Sequence, residues 1–400
     1  MSKSVRKLPG HVRARLHRQL AQGWQRAVFA SPRSDEGSRD EQVVEGPGPL
    51  GDEAAFEPAF ADLLARAEQA AGEGRVKQTF VIDERRRLEL DARHGQIKAR
   101  TLDDATVDKI MGGKQRVLRP DRSAALLQAI GIMNADATIS ARNAKKYKQV
   151  NHLVELCRPT WEKIAAGRTI DAAHPLRIVD LACGNSYLAF VLLEALRLAE
   201  LPARLLGVDL RDDVIASSRE RAAAIGFAEQ SEFVASKLEA LDAERLRAKL
   251  GGPVDLALAL HACDTATDAA LALAIASGAA AILAVPCCQA ELARQLADSP
   301  TLAELLVPAM VEHGLLRRSL GELLTDSLRI ELLEACGYTV TVLEFVDSEH
   351  TPKNLLIRGH RKHSGKVEPG RWGIAAVGER CKRLGVEPAL LRLLRAIQAG

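Results

Sequence analysis

Short apolar runs alternate with longer amphipathic or alanine-rich stretches along the chain from Leu176 onward. The apolar runs predict strands at LRIVDLA, ARLLGVDL, SEFVAS, VDLALALH, AAAILAVP and YTVTVLEFV. Intervening stretches such as SYLAFVLLEALRLAE and DDVIASSRERAAAIG have the length of helices. Strands that are apolar on both sides are typical of a parallel sheet covered by helices on both faces. The pattern therefore predicts an α/β domain over residues 170–362, followed by a helical tail over 363–400.

A period-two pattern precedes this domain. VKQTFVID and RRLELDARHGQIKAR alternate apolar and polar residues, and His94-Gly95 within the second stretch suits a turn. We therefore expect a small β-hairpin inside an N-terminal α+β region that covers residues 75–165.

The first 34 residues carry eight Lys or Arg and no acid. Apolar residues recur there at every fourth position, at Val12, Leu16, Leu20, Trp24 and Val28, which predicts a basic helix with one apolar stripe. Such a segment is a helix packed on its own protein, an arm attracted to phosphates, or an organelle transit peptide.

Residues 35–74 differ in composition from the segments on either side. Ten Asp or Glu fall within residues 35–68, and the stretch EGPGPLGDE is rich in Gly and Pro. Such a stretch is not expected to hold a regular element. The composition predicts an acidic linker between the basic N-terminus and the α+β region.

Composition narrows the class of protein without identifying a partner. The chain has 400 residues, of which 47% are hydrophobic and 27% charged, and its formal charge is only +3. Its seven cysteines lack the spacing of paired CxxC motifs, so reduced thiols and a cytoplasmic location are expected. No run of about eighteen apolar residues occurs, which argues against a membrane-spanning helix.

The charge of one segment, residues 109–148, is more informative than the net charge of the whole chain. Residues 109–148 contain nine Lys or Arg against Asp121 and Asp136. Such a density is either a solvated helical surface or a surface that contacts nucleic-acid phosphates. If RNA is the substrate, the residues expected to bind it are Arg119, Arg122, Lys146, Lys148, Gln149, Asn151 and Gln289.

The exit of the first predicted strand, DLACGNS, has the features of a cofactor turn. Small residues at Ala182, Gly184 and Ser186 let the backbone approach a ligand, and a helix follows directly. Asp209, at the end of the next strand, suits the two hydroxyls of a ribose. Only one glycine of a dinucleotide fingerprint is present. An acid at the head of the turn, Asp180, instead suits a ligand with an amino group and points to S-adenosylmethionine (SAM).

Reactive side chains follow two further strands, in LHACDTATD at residues 260–268 and in VPCCQAEL about twenty residues later. Methyl transfer needs a base only when the acceptor must lose a proton, and His261 or Asp264 is placed to act as one. Asp264 or Thr265 equally suits the N-cap of the following helix.

Several motifs together resemble a known family. DLACGNSYL, GVDLRDDVI, LHACDTATDAAL, VPCCQAEL, LLTDSLRIELLEACGY, EFVDSEHTPKNLLIRG and, ahead of them, KKYKQVNHLVEL are similar to motifs of bacterial class I SAM-dependent methyltransferases. The resemblance covers roughly residues 109–360. It implies a Rossmann-like fold with a mainly parallel seven-stranded sheet, preceded by a smaller N-terminal α+β region.

The resemblance also implies roles for individual residues. Asp180 would receive the methionine ammonium, Asp209 would hold the ribose, and Ser236 with Leu238 would frame the adenine. The cofactor-binding set is Asp180, Ala182, Cys183, Gly184, Ser186, Asp209, Leu210, Ser236, Leu238 and His261. The catalytic set is His261, Asp264, Asp268 and Cys288.

A more distant similarity links the chain to eukaryotic tRNA methyltransferases that modify a 2'-hydroxyl. Those enzymes have a glycine where this chain has Asp264, and two histidines where it has Gln289-Ala290. These differences at Asp264 and Gln289-Ala290 put the 2'-hydroxyl acceptor in doubt, whereas the expected cofactor stays the same. HTPKN, at residues 350–354, is expected to form the turn between the last two strands.

Cysteines at the strand ends raise the question of a metal. Cys263, Cys287 and Cys288, together with Cys183, are predicted near one edge of the sheet. Structural zinc sites use ligands two to four residues apart, and neighbours on an extended chain point in opposite directions. We therefore expect no metal and free thiols packed beside the cofactor. A cysteine nucleophile is the alternative.

Three functions are compatible with the sequence. The first is a SAM-dependent methyltransferase that acts on RNA, either tRNA or rRNA. The second is a SAM-dependent methyltransferase of a protein or small molecule, and the third is a SAM-binding module without turnover. The dense basic segment favours the first.

Overall fold

The computed structural model describes residues 6–32, 40–50, 53–260, 262–297, 308–344, 355–362 and 373–399. The chain forms two compact units, residues 1–148 and 149–400. The division falls within a long helix, earlier in the chain than the predicted start of the α/β domain. No helix among the described residues is long and apolar enough to cross a membrane.

The first unit is a five-stranded antiparallel sheet with helices. Its strands lie in the order β2-β1-β3-β4-β5. The elements of this unit, with the helix that leads into the second, are α1 (Gly10–Leu20), β1 (Gly23–Ala30), β2 (Glu41–Pro49), α2 (Glu53–Gly72), β3 (Lys77–Val81), β4 (Arg86–Asp91), β5 (Gln96–Thr101), α3 (Asp104–Met111), α4 (Ala124–Ala129) and α5 (Ala141–Gly167). The predicted hairpin is confirmed, because β4 and β5 pair from Asp91 and Gln96 across the turn that contains Gly95.

The single N-terminal helix predicted from Val12 to Val28 is wrong. Helix α1 ends at Leu20, and Trp24 and Val28 lie on strand β1. Gly23 separates the two elements at φ +97°, and a Cβ there would lie 1.9 Å from the carbonyl oxygen of Gly48. A spacing of four residues also fits one face of a strand, where side chains repeat every two residues. The apolar pattern alone could not separate these alternatives.

The predicted acidic linker is also wrong over its described residues. Residues 41–49 form β2, and residues 53–72 form α2, whose Phe56 and Phe60 are buried with Leu16 and Leu20 of α1. Strand β2 lies at the edge of the sheet, where proline is tolerated because one side of the strand makes no ladder hydrogen bonds. The acids of α2 are mostly on its exposed face, so its apolar face still contributes to the core.

The second unit contains a seven-stranded sheet in the order β11-β12-β10-β9-β6-β7-β8. All neighbouring strands are parallel except β12, which runs antiparallel to β10 and β11. The strands are β6 (Leu176–Leu181), β7 (Ala203–Asp209), β8 (Ser231–Ala235), β9 (Leu256–Leu260), β10 (Ala281–Val285), β11 (Tyr338–Glu344) and β12 (Leu355–Arg361). The predicted Rossmann-like methyltransferase fold is confirmed.

Helices cover this sheet and extend its core to the end of the described chain. They are α6 (Tyr187–Leu198), α7 (Asp212–Ala224), α8 (Ala243–Leu250), α9 (Thr265–Ala276), α10 (Glu291–Ala297), α11 (Ala309–Glu312), α12 (Gly314–Ala335), α13 (Ile374–Arg383) and α14 (Ala389–Ala399). Leu390 and Leu394 of α14 are buried in the same cluster as Leu271 of α9. The predicted helical tail is thus packed into the core of the second unit.

A buried ion pair connects two of these helices. Arg329 on α12 donates from Nε and Nη2 to the two carboxylate oxygens of Asp268 on α9, over 2.9 and 2.7 Å. The side chains of Arg329 and Asp268 are 1% and 3% exposed. Removing one member of such a pair leaves the other charge desolvated and unpaired, which is strongly destabilising.

We therefore expect Arg329→Met to lower the free energy of unfolding by about 3–5 kcal/mol, because Asp268 would remain buried without its partner. Urea unfolding followed by circular dichroism measures the change. The matched control is Arg158→Met, since Arg158 and its ion-pair partner Glu155 are 39% and 45% exposed and the change should cost less than about 1 kcal/mol. Equal losses in the two variants would contradict the expectation, whereas the double variant Asp268→Leu/Arg329→Met should regain much of the loss.

Candidate active site

The candidate site lies at the carboxyl ends of the parallel strands. Strand β6 has β7 on one side and β9 on the other, so the chain order reverses at this point of the sheet. Ligands of open α/β sheets bind in the crevice that forms where the order reverses. Asp180 lies near the end of β6, and Asp209 ends β7.

The turn after β6 has an unusual backbone. Ala182, Gly184 and Ser186 all have positive φ, at 60°, 54° and 56°. Two hydrogen bonds hold this turn to β7, from Cys183 N to Val208 O and from Gly184 N to Asp209 Oδ2, each 2.9 Å long. Non-glycine residues with positive φ are strained and persist where the surroundings hold them. The turn is thus fixed in shape ahead of helix α6.

Asp180 is the most perturbed carboxyl of the crevice. It is 2% exposed, and its Oδ1 atom is buried with no hydrogen-bond partner among the described residues. Burial, with a smaller contribution from nearby Asp209, raises the pKa of Asp180 to about 8. A buried carboxylate oxygen that lacks a partner is costly unless a ligand supplies a donor or a positive charge. The arrangement suits a ligand with an ammonium group.

The other predicted cofactor residues lie at the ends of β7 and β8. Asp209 Oδ1 accepts a hydrogen bond from Arg211 N over 3.1 Å, in addition to the bond from Gly184. Leu210 is 62% exposed. Ser236 N donates to Asp209 O over 2.8 Å, and Leu238 begins a short 3-10 turn. The sheet therefore groups these residues at one edge, as the sequence predicted, with the exception of His261, which lies outside the described residues.

Asp264 follows β9 and binds a different helix from the one expected. Its Oδ1 accepts hydrogen bonds from Ala290 N and Glu291 N, over 2.9 and 3.1 Å, at the start of α10. Asp264 makes no side-chain cap on α9. Burial acts to raise the pKa of Asp264, but these bonds and the Arg294 guanidinium outweigh it and lower that pKa. A carboxylate held in this way is a weak base.

Asp268 belongs to a buried polar network behind the site. Arg329 occupies both of its carboxylate oxygens and also donates to Asp326 Oδ1 over 3.1 Å. Asp326 Oδ2 in turn accepts a hydrogen bond from Gln289 Nε2 over 2.7 Å. The predicted catalytic role of Asp268 is at odds with this placement, because the carboxylate is neither exposed nor without a partner.

Three thiols meet at the ends of β9 and β10. Cys263 Sγ lies 3.7 Å from Cys287 Sγ, which lies 3.9 Å from Cys288 Sγ. All three sulfur atoms are within 4.8 Å of one another. The expectation that Cys287 and Cys288 point apart is wrong, because residues 286–290 are not a strand and the chain turns there. Cys183, in contrast, is buried beside the first turn.

A cavity of about 480 Å³ adjoins Cys288 and Gln289. Helices α10 and α12 contribute Arg294, Arg317 and Arg318 to its wall. Glu322 also lines the cavity and pairs with Arg318, and Arg294 pairs with Asp264, so the wall combines cations with acids.

The predicted substrate residues are divided between the two units. Arg119 and Lys146 of the first unit already have partners, since Arg119 Nε donates to Asp121 Oδ1 over 3.1 Å and Lys146 Nζ to Ile130 O over 3.2 Å. Arg122 and Lys148 are exposed. In the second unit, Gln149 is half-buried, while Asn151 and Gln289 are 1% and 5% exposed.

Sequence reasoning missed Arg329 and Asp326. They lie three residues apart on α12, which is an ordinary spacing for a surface ion pair on a helix. Their burial depends on contact with Asp268, 61 residues earlier in the chain, and no local pattern reports such a contact.

Comparison with known proteins adds a family match to this geometry. Residues 145–295 match a family model described as a methyltransferase domain. A comparison with curated proteins gave no match.

Three solved structures illustrate the similarity to known folds. The SAH-bound methyltransferase PaMTH1 from Podospora anserina is 17% identical, with 65% of this chain and 97% of that chain covered and a TM-score of 0.34. An O-methyltransferase family protein from Burkholderia thailandensis is 16% identical, with 62% and 69% covered and a TM-score of 0.29. An rRNA methylase from Streptococcus thermophilus is 12% identical, with 54% and 96% covered and a TM-score of 0.28.

The three proteins share at most 17% of their residues with this chain. The strand order of the second unit, the fixed turn after β6 and the family match are independent of them. On these three grounds, residues 145–295 contain a SAM-dependent methyltransferase domain.

Proposed function

We propose that the protein transfers the methyl group of SAM to RNA, either tRNA or rRNA, in the cytoplasm. The buried and unpartnered carboxylate of Asp180 supports the cofactor, and a cluster of cations at the start of α5 supports the nucleic acid. Transfer to a protein or small molecule is the alternative that the experiments below separate from this proposal.

Asp180 would hold the ammonium of the methionine portion of SAM. The ammonium would give the buried Oδ1 atom the partner it lacks. The backbone from Ala182 to Ser186 would lie against the amino-acid and ribose portions, since its small side chains leave room for close approach.

Asp209 would hold the ribose, because its two oxygens are fixed by Gly184 N and Arg211 N and each keeps a lone pair for a hydroxyl. Leu210, Ser236 and Leu238 would flank the adenine. Each of these assignments follows from the position of the residue at the end of β7 or after β8.

Bound SAM supplies an activated methyl group, so the protein mainly has to position the acceptor. Among the described residues at the site, Asp264 is held by the start of α10 and Asp268 by Arg329. Neither is suited to remove a proton. A hydroxyl acceptor would therefore need another group as its base, and His261, the other predicted base, lies outside the described residues.

The first two turns of α5 present a compact cationic surface. Residues 141–148 contain Arg142, Lys145, Lys146 and Lys148 and no acid, and all four are exposed. The hydroxyl of Tyr147 donates to Leu118 O over 2.7 Å, which anchors this part of the helix within the first unit. Cations on consecutive turns of an anchored helix are well placed to contact successive phosphates.

Asp209→Ala should weaken SAM binding by roughly 10- to 100-fold, because a charge-assisted hydrogen bond contributes about 1.5–3 kcal/mol. Isothermal titration calorimetry measures the affinity. Asp212→Ala is the matched control, since Asp212 is an exposed acid three residues farther along the chain and should leave the affinity unchanged. Equal affinities of the wild type and Asp209→Ala would remove Asp209 from the cofactor site.

Asp180→Asn should stabilise the SAM-free protein at alkaline pH while weakening SAM binding. The folded-state pKa of about 8 exceeds the usual value of 3.8, so the folded state holds a proton that the unfolded state has lost. Stability of the wild type is penalised increasingly as the pH rises from about 4 to about 8.

The variant lacks this penalty, so its free energy of unfolding relative to the wild type should increase by about 1–3 kcal/mol between about pH 5.5 and pH 8.5. Urea unfolding at the two pH values tests this. A difference between variant and wild type that does not depend on pH would show that Asp180 titrates normally.

The triple variant Arg142→Gln/Lys145→Gln/Lys148→Gln should flatten the salt dependence of RNA binding, because each lost phosphate contact releases fewer counterions. Its SAM affinity should be unchanged. Filter binding of total tRNA and rRNA over a range of salt concentrations measures the slope.

The control triple Arg247→Gln/Lys382→Gln/Arg383→Gln makes the same change in net charge at exposed residues elsewhere on the chain. It should keep the slope of the wild type. No measurable binding of the wild-type protein to either RNA at low salt would contradict the RNA proposal and favour a protein or small-molecule acceptor.

A further inference from the structure

The three-thiol cluster, Cys263, Cys287 and Cys288, has the dimensions of a thiolate metal site. Zinc binds thiolate sulfur at about 2.3 Å, so two sulfurs of a tetrahedral site lie about 3.8 Å apart. The sulfur separations are 3.7 Å between Cys263 and Cys287 and 3.9 Å between Cys287 and Cys288, and all three sulfurs lie within 4.8 Å of one another. An ion would therefore fit between the sulfurs after only small side-chain movements.

Hydrogen bonds hold the two cysteine-bearing loops together without an ion. Asp264 N donates to Cys288 O over 3.0 Å, and the Asp264 carboxylate accepts from the backbone of Ala290 and Glu291. Arg329 Nη2 donates to Asp264 O over 2.9 Å. These bonds bridge the segments after β9 and β10, so the thiols are brought together by the fold itself.

The backbone of Asp264 supports the same conclusion. Its φ of 47° and ψ of −121° are strained for a residue with a side chain. Strain of this kind is kept where the surrounding structure determines it, and it is concentrated at functional sites. Here it directs the chain so that Cys263 faces the thiols of the neighbouring loop.

We propose that Cys263, Cys287 and Cys288 bind one Zn²⁺ ion as three thiolates. Each thiol releases one proton to solvent as its bond to zinc forms, and no oxidant or reductant takes part. Within the described part of the chain, no fourth His, Cys, Asp or Glu joins the cluster. A tetrahedral zinc site has a fourth ligand position, which these three thiolates would leave to another donor.

The open position would face solvent, since Cys263 is exposed. A water molecule or a donor atom of the acceptor would complete the tetrahedron there. The proposal replaces the free-thiol expectation from the sequence and does not depend on the acceptor being RNA.

Zinc binding by the full-length protein tests the proposal. The protein is reduced with a phosphine, stripped of metal and titrated with Zn²⁺ against a chromophoric chelator. We expect one zinc ion per chain, and an affinity at least about 100-fold weaker in Cys263→Ser and in Cys288→Ser, because each loses a direct ligand. Co²⁺ in place of Zn²⁺ should give the visible absorption of a tetrahedral thiolate site.

Cys336→Ser is the matched control, because Cys336 is a partly buried cysteine of the same unit outside the cluster. It should keep the wild-type zinc affinity. Cys263 is exposed, so Cys263→Ser should fold, and circular dichroism checks this. SAM affinity, measured separately, reports on the proposed function and not on the metal.

Three results would overturn the proposal. The first is the absence of stoichiometric zinc in the reduced wild type. The second is a zinc affinity that Cys263→Ser leaves unchanged, and the third is an equal loss of affinity in Cys336→Ser.

Discussion

The arrangement of the candidate site depends on one buried guanidinium, that of Arg329. It neutralises Asp268, contacts Asp326 and donates to the backbone oxygen of Asp264, so it connects α9, α12 and the loop after β9. A charge buried this deeply is tolerated only when its hydrogen bonds are satisfied, and here the acceptors come from three separate segments. The loop that carries Cys263 and Asp264 is therefore held in place by Arg329, which is itself held by Asp268 and lies on the side of the loop that faces the core.

The carboxyl group of Asp180 in the crevice, in contrast to those around Arg329, has no cation paired with it within the described part of the chain. Asp180 is buried with no partner for one oxygen among the described residues, and burial together with nearby Asp209 disfavours a negative charge on it. Two carboxyl groups at the end of adjacent strands oppose each other in the absence of a cation, and a ligand that brings positive charge relieves the opposition. The Arg329–Asp268 pair behind the site is thus satisfied within the protein, whereas the crevice is left to be satisfied by its cofactor.

Local pattern was sufficient for six of the seven strands and for the first turn. The seventh strand, β12, has the sequence LLIRGHR, which is not an apolar run, and was implied only by the family resemblance. The small residues after Asp180 mark a close approach whatever the tertiary context. It was not sufficient where two patterns share a spacing, as at Trp24 and Val28. The sequence pattern also failed at Phe56 and Phe60, because the many acidic residues around them suggested a linker and the apolar face of α2 was not recognised. The thiol cluster and Arg329 depend on contacts between distant segments, which no window of the sequence reports.

Helix α14 completes the core of the second unit, so that core cannot be finished until the end of the described chain has been synthesised. Its Arg392 pairs with Glu291, 101 residues earlier, and its Leu394 is buried in the core beside α9. During synthesis the five-stranded first unit can fold as soon as it emerges, because its strand pairings lie within the first 101 residues. The core of the methyltransferase unit stays incomplete until nearly 300 further residues have been added, and 118 of these separate the end of α9 at Ala276 from Leu394, which packs in the same core.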